Sequence, residues 1–322
     1  MSTRVRSALI GYTGFVGGNL LRSRSFDQLY NSANIAEMKG QKFDLVVCAG
    51  APAIMWAANA NPQADMHNLQ QLADAICSAD IGCLVLISTI GVFDDVSAGY
   101  TESNANFEKQ SAYGLNRREL EVELASKFHS IHIIRLPALF GSGLKKNFIF
   151  DILNPEPSFI KPAKFDSLLQ AFPAKEGVFL QQAYCYNSDI DMWAYKRDEY
   201  KDSKIAKALI EAFWDENFLA TQFTNSQSRF QYYNLEKLAD DIDRMIAHDI
   251  NVLNICSAPA QAGEIYRFLT GKEFNNTEAA AVNEDVRSDH TDIFGTSGHY
   301  LYEKYETLND LRRFCAEFRD PE

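Results

Sequence analysis

A doubly wound α/β fold is predicted by three features of this 322-residue sequence. A glycine turn follows the first apolar run, within SALIGYTGFVGGNLL at Ser7 to Leu21. Wholly apolar strand-like runs then alternate with helical stretches as far as about residue 140, the pattern of a parallel sheet covered on both faces. From about Gly141 the alternation is lost and later resumes, as expected of a chain that leaves the sheet, builds part of a second, smaller lobe and returns.

Taken in order, Ala8, Leu9 and Ile10 end the first strand, and Gly11, Gly14 and Gly17 form the turn. Val16, Leu20 and Leu21 carry the apolar stripe of the next helix. Glycines let backbone approach a ligand closely, and a helix N-terminus presents free N–H groups and a positive dipole end, so the stretch is suited to a diphosphate. The spacing is G-x-x-G-x-x-G rather than G-x-G-x-x-G. Phe26 to Ser32 reads as a short second strand, Phe43 to Pro52 as a buried one and Asn68 to Ala79 as a helix. Cys83 to Thr89 is another buried strand, Ala112 to Phe128 a helix and Ile131 to Pro137 a strand. Lys145 to Asn225 is mixed, with a helix over Lys204 to Phe213. An amphipathic helix at Asn234 to Asp249 and a strand at Asn251 to Ser257 rejoin the sheet; an excursion from Ala258 to His299 precedes a closing helix at Leu308 to Phe318. The expected division is a nucleotide-binding lobe at 1–143 rejoined by about 226–257, a substrate lobe at 144–225 and 258–300, and a closing segment at 301–322.

The formal charge of −12 and pI near 5.0 argue against general binding to nucleic acid or anionic membranes, so any anionic ligand must be held by local groups. The six cysteines, Cys48, Cys77, Cys83, Cys185, Cys256 and Cys315, are scattered without a C-x-x-C and read as buried free thiols of a reducing compartment. The first strand starts almost at Met1, no apolar run reaches membrane-spanning length, and the cytoplasm is the expected location. None of the six histidines forms a metal-like spacing with another ligand apart from His129 and His132, which flank a strand start and read as structural. Trp56, Trp193 and Trp214 are left open between core and cleft.

Chemistry is suggested by Thr89, which ends its strand, and by Tyr113 and Arg117 in YGLNR, which share a helix face at i and i+4. A fixed cation beside a phenol favours phenolate. With a hydroxyl to polarise a carbonyl, this is what alcohol–ketone hydride transfer needs. GYTGFVG at Gly11, NPQADMHN at Asn61 to Asn68, LVLISTIGVF at Leu84 to Phe93, YGLNR, RLPALFGSG at Arg135 to Gly143 and LNICSAPAQAGEI at Leu253 to Ile265 follow one another in a familiar order. The chain thereby resembles the extended short-chain dehydrogenase/reductases, the nucleotide-sugar epimerase, dehydratase and reductase family. The resemblance implies a Rossmann-like first lobe with NADP or NAD, a substrate between lobes that is a small molecule and often a nucleotide sugar, and a homodimer built on the tyrosine helix, where Leu115, Leu120 and Val122 contribute. It implies Thr89, Tyr113 and Arg117 as catalytic residues. It also implies cofactor contacts at Gly11, Thr13, Gly14, Phe15, Val16, Gly17, Asn31, Ser32, Ala49, Gly50, Ala51, Asn68, Ser88, Tyr113, Arg117 and Pro137.

Several positions depart from that family. Its Y-x-x-x-K, whose lysine holds the nicotinamide ribose, is here Y-x-x-x-R, and arginine differs in shape and gives up no proton. The family's sugar dehydratases place Asp-Glu directly after the threonine; Ile90 and Gly91 stand there, so dehydration is rejected. Ala138 occupies the place of an asparagine that helps hold the substrate diphosphate. The tip of the second strand, Tyr30 to Asn34, lacks the acid that grips a ribose 2′-hydroxyl, and Asn31 and Ser32 could donate to a 2′-phosphate, which favours NADP. Lys145, Lys146, Asn147, Arg229 and Thr89 are the substrate-binding candidates. The expected activity is NAD(P)-dependent reduction or epimerisation of a sugar-type alcohol or ketone, reduction being favoured for want of a second base. The alternative is a non-catalytic NAD(P)-binding redox sensor or scaffold.

Overall fold

The computed structural model describes residues 6–319; residues 1–5, assigned above to the first lobe, and 320–322, assigned to the closing segment, lie outside the described residues. The chain runs through β1 (Ser7–Ile10), α1 (Phe15–Ser23), β2 (Gln28–Tyr30), β3 (Lys42–Cys48), α2 (Met55–Ala60), α3 (Pro62–Cys77) and β4 (Asp80–Thr89). It continues through α4 (Ala112–Lys127), β5 (Ile131–Leu136), β6 (Ala138–Phe140), α5 (Phe148–Leu153), β7 (Phe159–Ile160), α6 (Pro162–Ala171) and α7 (Ala174–Ala183). Then come β8 (Tyr184–Asn187), β9 (Met192–Tyr195), α8 (Arg197–Tyr200), α9 (Lys204–Asp215), β10 (Arg229–Phe230), β11 (Tyr232–Asn234) and α10 (Leu238–Ala247). β12 (Val252–Asn254), β13 (Ala260–Gln261), α11 (Ala262–Thr270) and α12 (Lys304–Arg319) complete it.

Six strands form the central sheet in the order β12-β5-β4-β3-β1-β2, and every neighbouring pair is parallel. Side chains alternate between two apolar layers. Leu9, Val47, Val85 and Ile134 face α1 and α10, meeting Leu20, Leu238, Ile242 and Met245. Ala8, Val46, Leu84 and Ile133 face α3 and α4, meeting Leu69, Leu72, Ile76, Leu120 and Leu124. A strand buried on both sides has no solvent face, which is why these strands read as continuous apolar runs. Each such aliphatic side chain contributes about 1.5–3 kcal/mol relative to exposure.

The described residues divide into two compact units: residues 6–144, 229–260 and 283–317, and residues 145–228, 261–282 and 318–319. The second has its own core of Phe165, Leu168, Leu180, Leu209 and Phe213 beside the antiparallel sheet β7-β9-β8, and Trp193 stacks on Phe165 with ring centroids 4.0 Å apart. The late excursion is shorter than the sequence suggests. Residues 283–300 belong to the first unit because Asp285 and Arg287 donate backbone bonds to Val96 and Tyr100, and Val286 is buried against Ile90, Val92 and Phe93.

Local differences have simple causes. α3 begins at Pro62, not Asn68, because the Asn61 side chain accepts from Ala64 N and Pro62 sits in the first turn. The strand expected to reach Pro52 stops at Cys48. Leu120, expected on a dimer face, is in the core, whereas Val122 is exposed. Trp56 and Trp214 are exposed and Trp193 is part of the second core. All six cysteines are free; Cys48, Cys256 and Cys315 are buried as expected, whereas Cys77 and Cys83 are half-buried and Cys185 is exposed. No helix among the described residues is long and apolar enough to cross a membrane.

Candidate active site

The order of the sheet locates a crevice. From β1 the chain turns one way to β2 and then crosses to β3 on the other side, and ligands of open parallel sheets sit at such a switch point, outside the carboxyl ends of the strands. Gly11, Asn31, Ala49, Thr89 and Pro137 follow or end β1, β2, β3, β4 and β5 in turn, so residues scattered over 127 positions come to one edge of one sheet.

The three glycines of the turn serve different purposes. Gly11 has φ +85° and donates its N–H to Tyr30 O at 2.7 Å; a Cβ there would lie 2.3 Å from Ala49 O. A Cβ on Gly17 would lie 2.3 Å from Gly11 O, so that glycine is what lets α1 press on the turn. Gly14 is exposed, and its Cβ would meet only Gly11 O, at 3.3 Å. It is the N-cap residue of α1. The first turn of α1 thus has no side-chain cap and no acid of its own to balance the positive end of the helix. Thr13 is exposed beside it, while Phe15 and Val16 pack on the core.

The second cluster forms around Gly91. A Cβ placed there would lie 3.1 Å from Cε1 of Tyr113 and 3.4 Å from Oγ1 of Thr89, so hydroxyl and ring converge on one point. Thr89 Oγ1 accepts from Gly91 N at 3.1 Å, which leaves its O–H to donate elsewhere. α4 reaches this loop only because Gly114 has no side chain: its Cβ would come within 2.0 Å of Gly91 O. Asn59, on α2, accepts from Tyr113 N at 2.9 Å and Ser111 Oγ at 3.1 Å and thereby fixes the start of α4. Tyr113 is buried to 8% exposure.

Arg117 has partners that the Tyr113 spacing does not reveal. Its guanidinium lies 4.0 Å above the Tyr113 ring, and Nη1 and Nη2 both bond Asp65 on α3, at 2.6 and 2.9 Å. The same nitrogens also donate to Tyr113 O and Pro52 O. Burial would raise the Asp65 carboxyl, but hydrogen bonds from Arg117 and Asn116 outweigh it and hold Asp65 below the usual range. Behind the site, Glu121 is fully buried and accepts from Ser88 Oγ (2.6 Å) and from Arg135 Nε (3.0 Å) and Nη2 (2.8 Å), so the Ser88 hydroxyl is turned to α4.

Other candidates lie as follows. Asn31 is occupied, its amide donating to Tyr12 Oη and its carbonyl accepting from Ala33 N; Ser32 is exposed. Asn68 is exposed on α3, and Ala49, Gly50 and Ala51 are half-buried after β3. Pro137 is buried. In the second unit, Lys145 and Lys146 are exposed and Asn147, at φ +108°, caps α5 by accepting from Ile149 N and Phe150 N. Arg229, in the first unit, is exposed and its strand bridges to Asn283. Among the described residues no three His, Cys, Asp or Glu side chains group as a metal site.

Sequence reasoning missed Asp65, Asn59 and Gly114. Asp65 had a signal: it falls on the stripe of Leu69, Leu72, Ala73 and Ile76, and a carboxylate on a buried face requires a cation. It also missed two half-buried carboxyls raised to about 7, both mainly by loss of solvent around the carboxyl: Glu284, which accepts from Gln231 N at 2.8 Å, and Asp151 on α5.

No protein-family model and no curated protein matches the sequence. Solved structures do match in fold along the whole chain. NADPH-bound RMD from Pseudomonas aeruginosa superposes with a TM-score of 0.63 at 12% identity, covering 98% of this chain and 100% of its own. UDP-N-acetylglucosamine 4-epimerase from Methanobrevibacter ruminantium, in complex with UDP-N-acetylmuramic acid, gives 0.62 at 13% identity and 99% of both chains. dTDP-4-dehydrorhamnose reductase from Bacillus anthracis, in complex with NADP, gives 0.59 at 12% identity, covering 98% and 99%. The chain therefore shares the Rossmann-like fold of these structures.

Proposed function

We propose that the chain is an NAD(P)-dependent enzyme of the extended short-chain dehydrogenase/reductase type that reduces or epimerises a sugar-type ketone or alcohol, carried by a nucleotide. The observation that carries this reading is the convergence of the Thr89 hydroxyl and the Tyr113 ring on Gly91, in the same unit as an uncapped helix behind a glycine turn.

The residues at the turn fit the cofactor. The free N–H groups of α1 and the exposed Gly14 would hold its diphosphate, with Ala49 to Ala51 and Pro137 along the same strand ends. The absence of an acid after β2, with the exposed Ser32 hydroxyl, favours NADP over NAD; Asn31, already bonded to Tyr12 and Ala33, contributes less than its sequence position suggests. When bound, the nicotinamide supplies or accepts the hydride. Thr89, held by Gly91 N, donates to the substrate oxygen, and Tyr113 delivers or removes the proton there. Arg117 acts on Tyr113: four of its N–H bonds end on Asp65, Pro52 and Tyr113, so we assign it to fixing the ring and helix rather than gripping the ribose. Lys145, Lys146, Asn147 and Arg229 remain the candidates for a substrate diphosphate. Reduction is favoured over epimerisation.

The commitment of Arg117 to Asp65 also favours the second reading, a dinucleotide-binding sensor that no longer turns over. A panel of nucleoside-diphosphate ketosugars with NADPH separates the two. Catalysis either consumes NADPH with at least one of them or interconverts epimers of the corresponding nucleotide sugars with bound NAD(P), as chromatography of the products shows; a chain that binds the cofactor and does neither is the sensor.

A further inference from the structure

The second unit holds a cleft of its own, lined by none of the residues assigned above to cofactor or substrate. Its volume is about 310 Å³, and Trp214, Gln222, Tyr266, Glu273, Asn275 and Glu278 line it, all within the second unit. That is the small end of the roughly 300–1,000 Å³ typical of ligand sites, and it suits a small ring better than a dinucleotide.

The chain fixes the walls of this cleft before any ligand enters. α9 buries Ala206, Leu209, Ala212 and Phe213, and the next residue, Trp214, is left 64% exposed. Phe274 is buried, and the Tyr266 ring stacks on it with centroids 5.1 Å apart. Two asparagines tie one wall to the other. Asn276 Nδ2 donates to Gln222 O and Thr224 O, both at 2.8 Å, and Asn225 Nδ2 donates to Thr277 O at 3.3 Å and Ala279 O at 2.7 Å. These two amides are spent on the frame. By contrast, among the described residues the side-chain amides of Gln222 and Asn275 and the hydroxyl of Tyr266 have no hydrogen-bond partner. No Lys, Arg or His lines the cleft; Glu273 is paired with Arg267 at 3.8 Å, and Glu278 has no cation among the described residues.

We propose that this cleft binds a neutral sugar unit, with the Trp214 indole under one face of the ring and Gln222, Asn275 and Glu278 bonding its hydroxyls. One face of a pyranose is made of C–H groups with slight positive charge, which match the negative face of an indole. A sugar hydroxyl both donates and accepts; the two amides do the same, and the carboxylate accepts. A wholly apolar ligand would leave those amides unpaired, and an anionic one would meet Glu278 with no cation to offset it. This assignment does not rest on the roles given to Thr89 and Tyr113.

The full-length chain, titrated with neutral tetrasaccharides of glucose, mannose, galactose and N-acetylglucosamine and followed by ligand-observed NMR, tests the site. At least one should bind with a millimolar or tighter Kd, about tenfold more weakly to Trp214→Ala and about threefold more weakly to Gln222→Ala. Trp214 is exposed and the Gln222 side chain is unbonded, so both variants should melt with the wild type. Tetragalacturonate, which carries a carboxylate on each ring, should not bind, and UDP-glucose should not displace the neutral ligand. Binding of none of the four, equal binding by both variants, equal binding of tetragalacturonate, or displacement by UDP-glucose would overturn the proposal. So would a dimer of the chain that Trp214→Ala dissolves, which would give this face to a second copy.

Discussion

The glycine turn and the tyrosine helix lie along the same strand ends, yet they treat their polar groups in opposite ways. At the turn, the first N–H groups of α1 have neither cap nor acid, and Gly14 stands exposed with little behind it. At the tyrosine helix nearly everything is satisfied from within: Arg117 by Asp65, the start of α4 by Asn59, Ser88 by Glu121 and Thr89 by Gly91 N. An open anion site costs little on a solvated surface. A buried cation does not persist without an anion, and Arg117 has Asp65. The difference between the two regions is therefore one between a helix start with no internal counter-charge and a helix start whose polar groups are held by other parts of the chain.

That comparison breaks first at the tyrosine. Tyr113→Phe should keep the fold and NADPH binding but lower turnover about a thousandfold, since only the proton donor is removed; undiminished turnover would remove the helix from the chemistry. Next in size is the ion pair. Asp65→Ala leaves Arg117 buried and alone and should cost about 3–5 kcal/mol in urea unfolding. Because the Asp65 carboxyl lies below its usual range when folded, its contribution is present above about pH 4 and is lost as pH falls through the folded value. The wild-type advantage over Asp65→Ala should therefore shrink in acid.

The glycines sharpen the contrast at smaller scale. Gly17→Ala forces a methyl to 2.3 Å from Gly11 O and should destabilise by about 1–3 kcal/mol, whereas Gly14→Ala should leave stability within about 1 kcal/mol while weakening NADPH binding. Equal losses of stability would mean that Gly14 serves packing too. Smallest is Glu284→Gln. The folded carboxyl is raised to about 7, so the folded state holds a proton that the unfolded chain has released above its ordinary value near 4.5. Stability is lost as pH rises through that interval. The melting temperature of Glu284→Gln relative to wild type should rise by a few degrees from pH 5 to pH 8, and a flat difference would contradict the raised carboxyl.

Much of the sheet was legible because strands buried on both faces leave unbroken apolar runs, as in Leu45 to Cys48 and Leu84 to Ile87. The glycine turn, Thr89 and Tyr113 were legible because each is local to one strand end or helix start. The supports were not, since they act across 50 or so positions: Asn59 reaches Tyr113, and Asp65 reaches Arg117, from helices whose own periodicity does not reveal their partners. Helix α2, in the IMWAANAN stretch, has no long apolar stripe to announce it. The return of residues 283–300 was hidden for a related reason: it is an irregular segment held by backbone bonds and by Val286, not by a periodic face.

The central claim, that the turn is a working dinucleotide site, is tested most directly by a thermal-shift titration of the wild-type chain with NADPH, NADP, NADH and NAD. Stabilisation by the NADP pair is expected, on the order of 2–3 kcal/mol at a hundredfold excess over Kd, and diminished in Gly14→Ala. No stabilisation by any of the four would contradict the account.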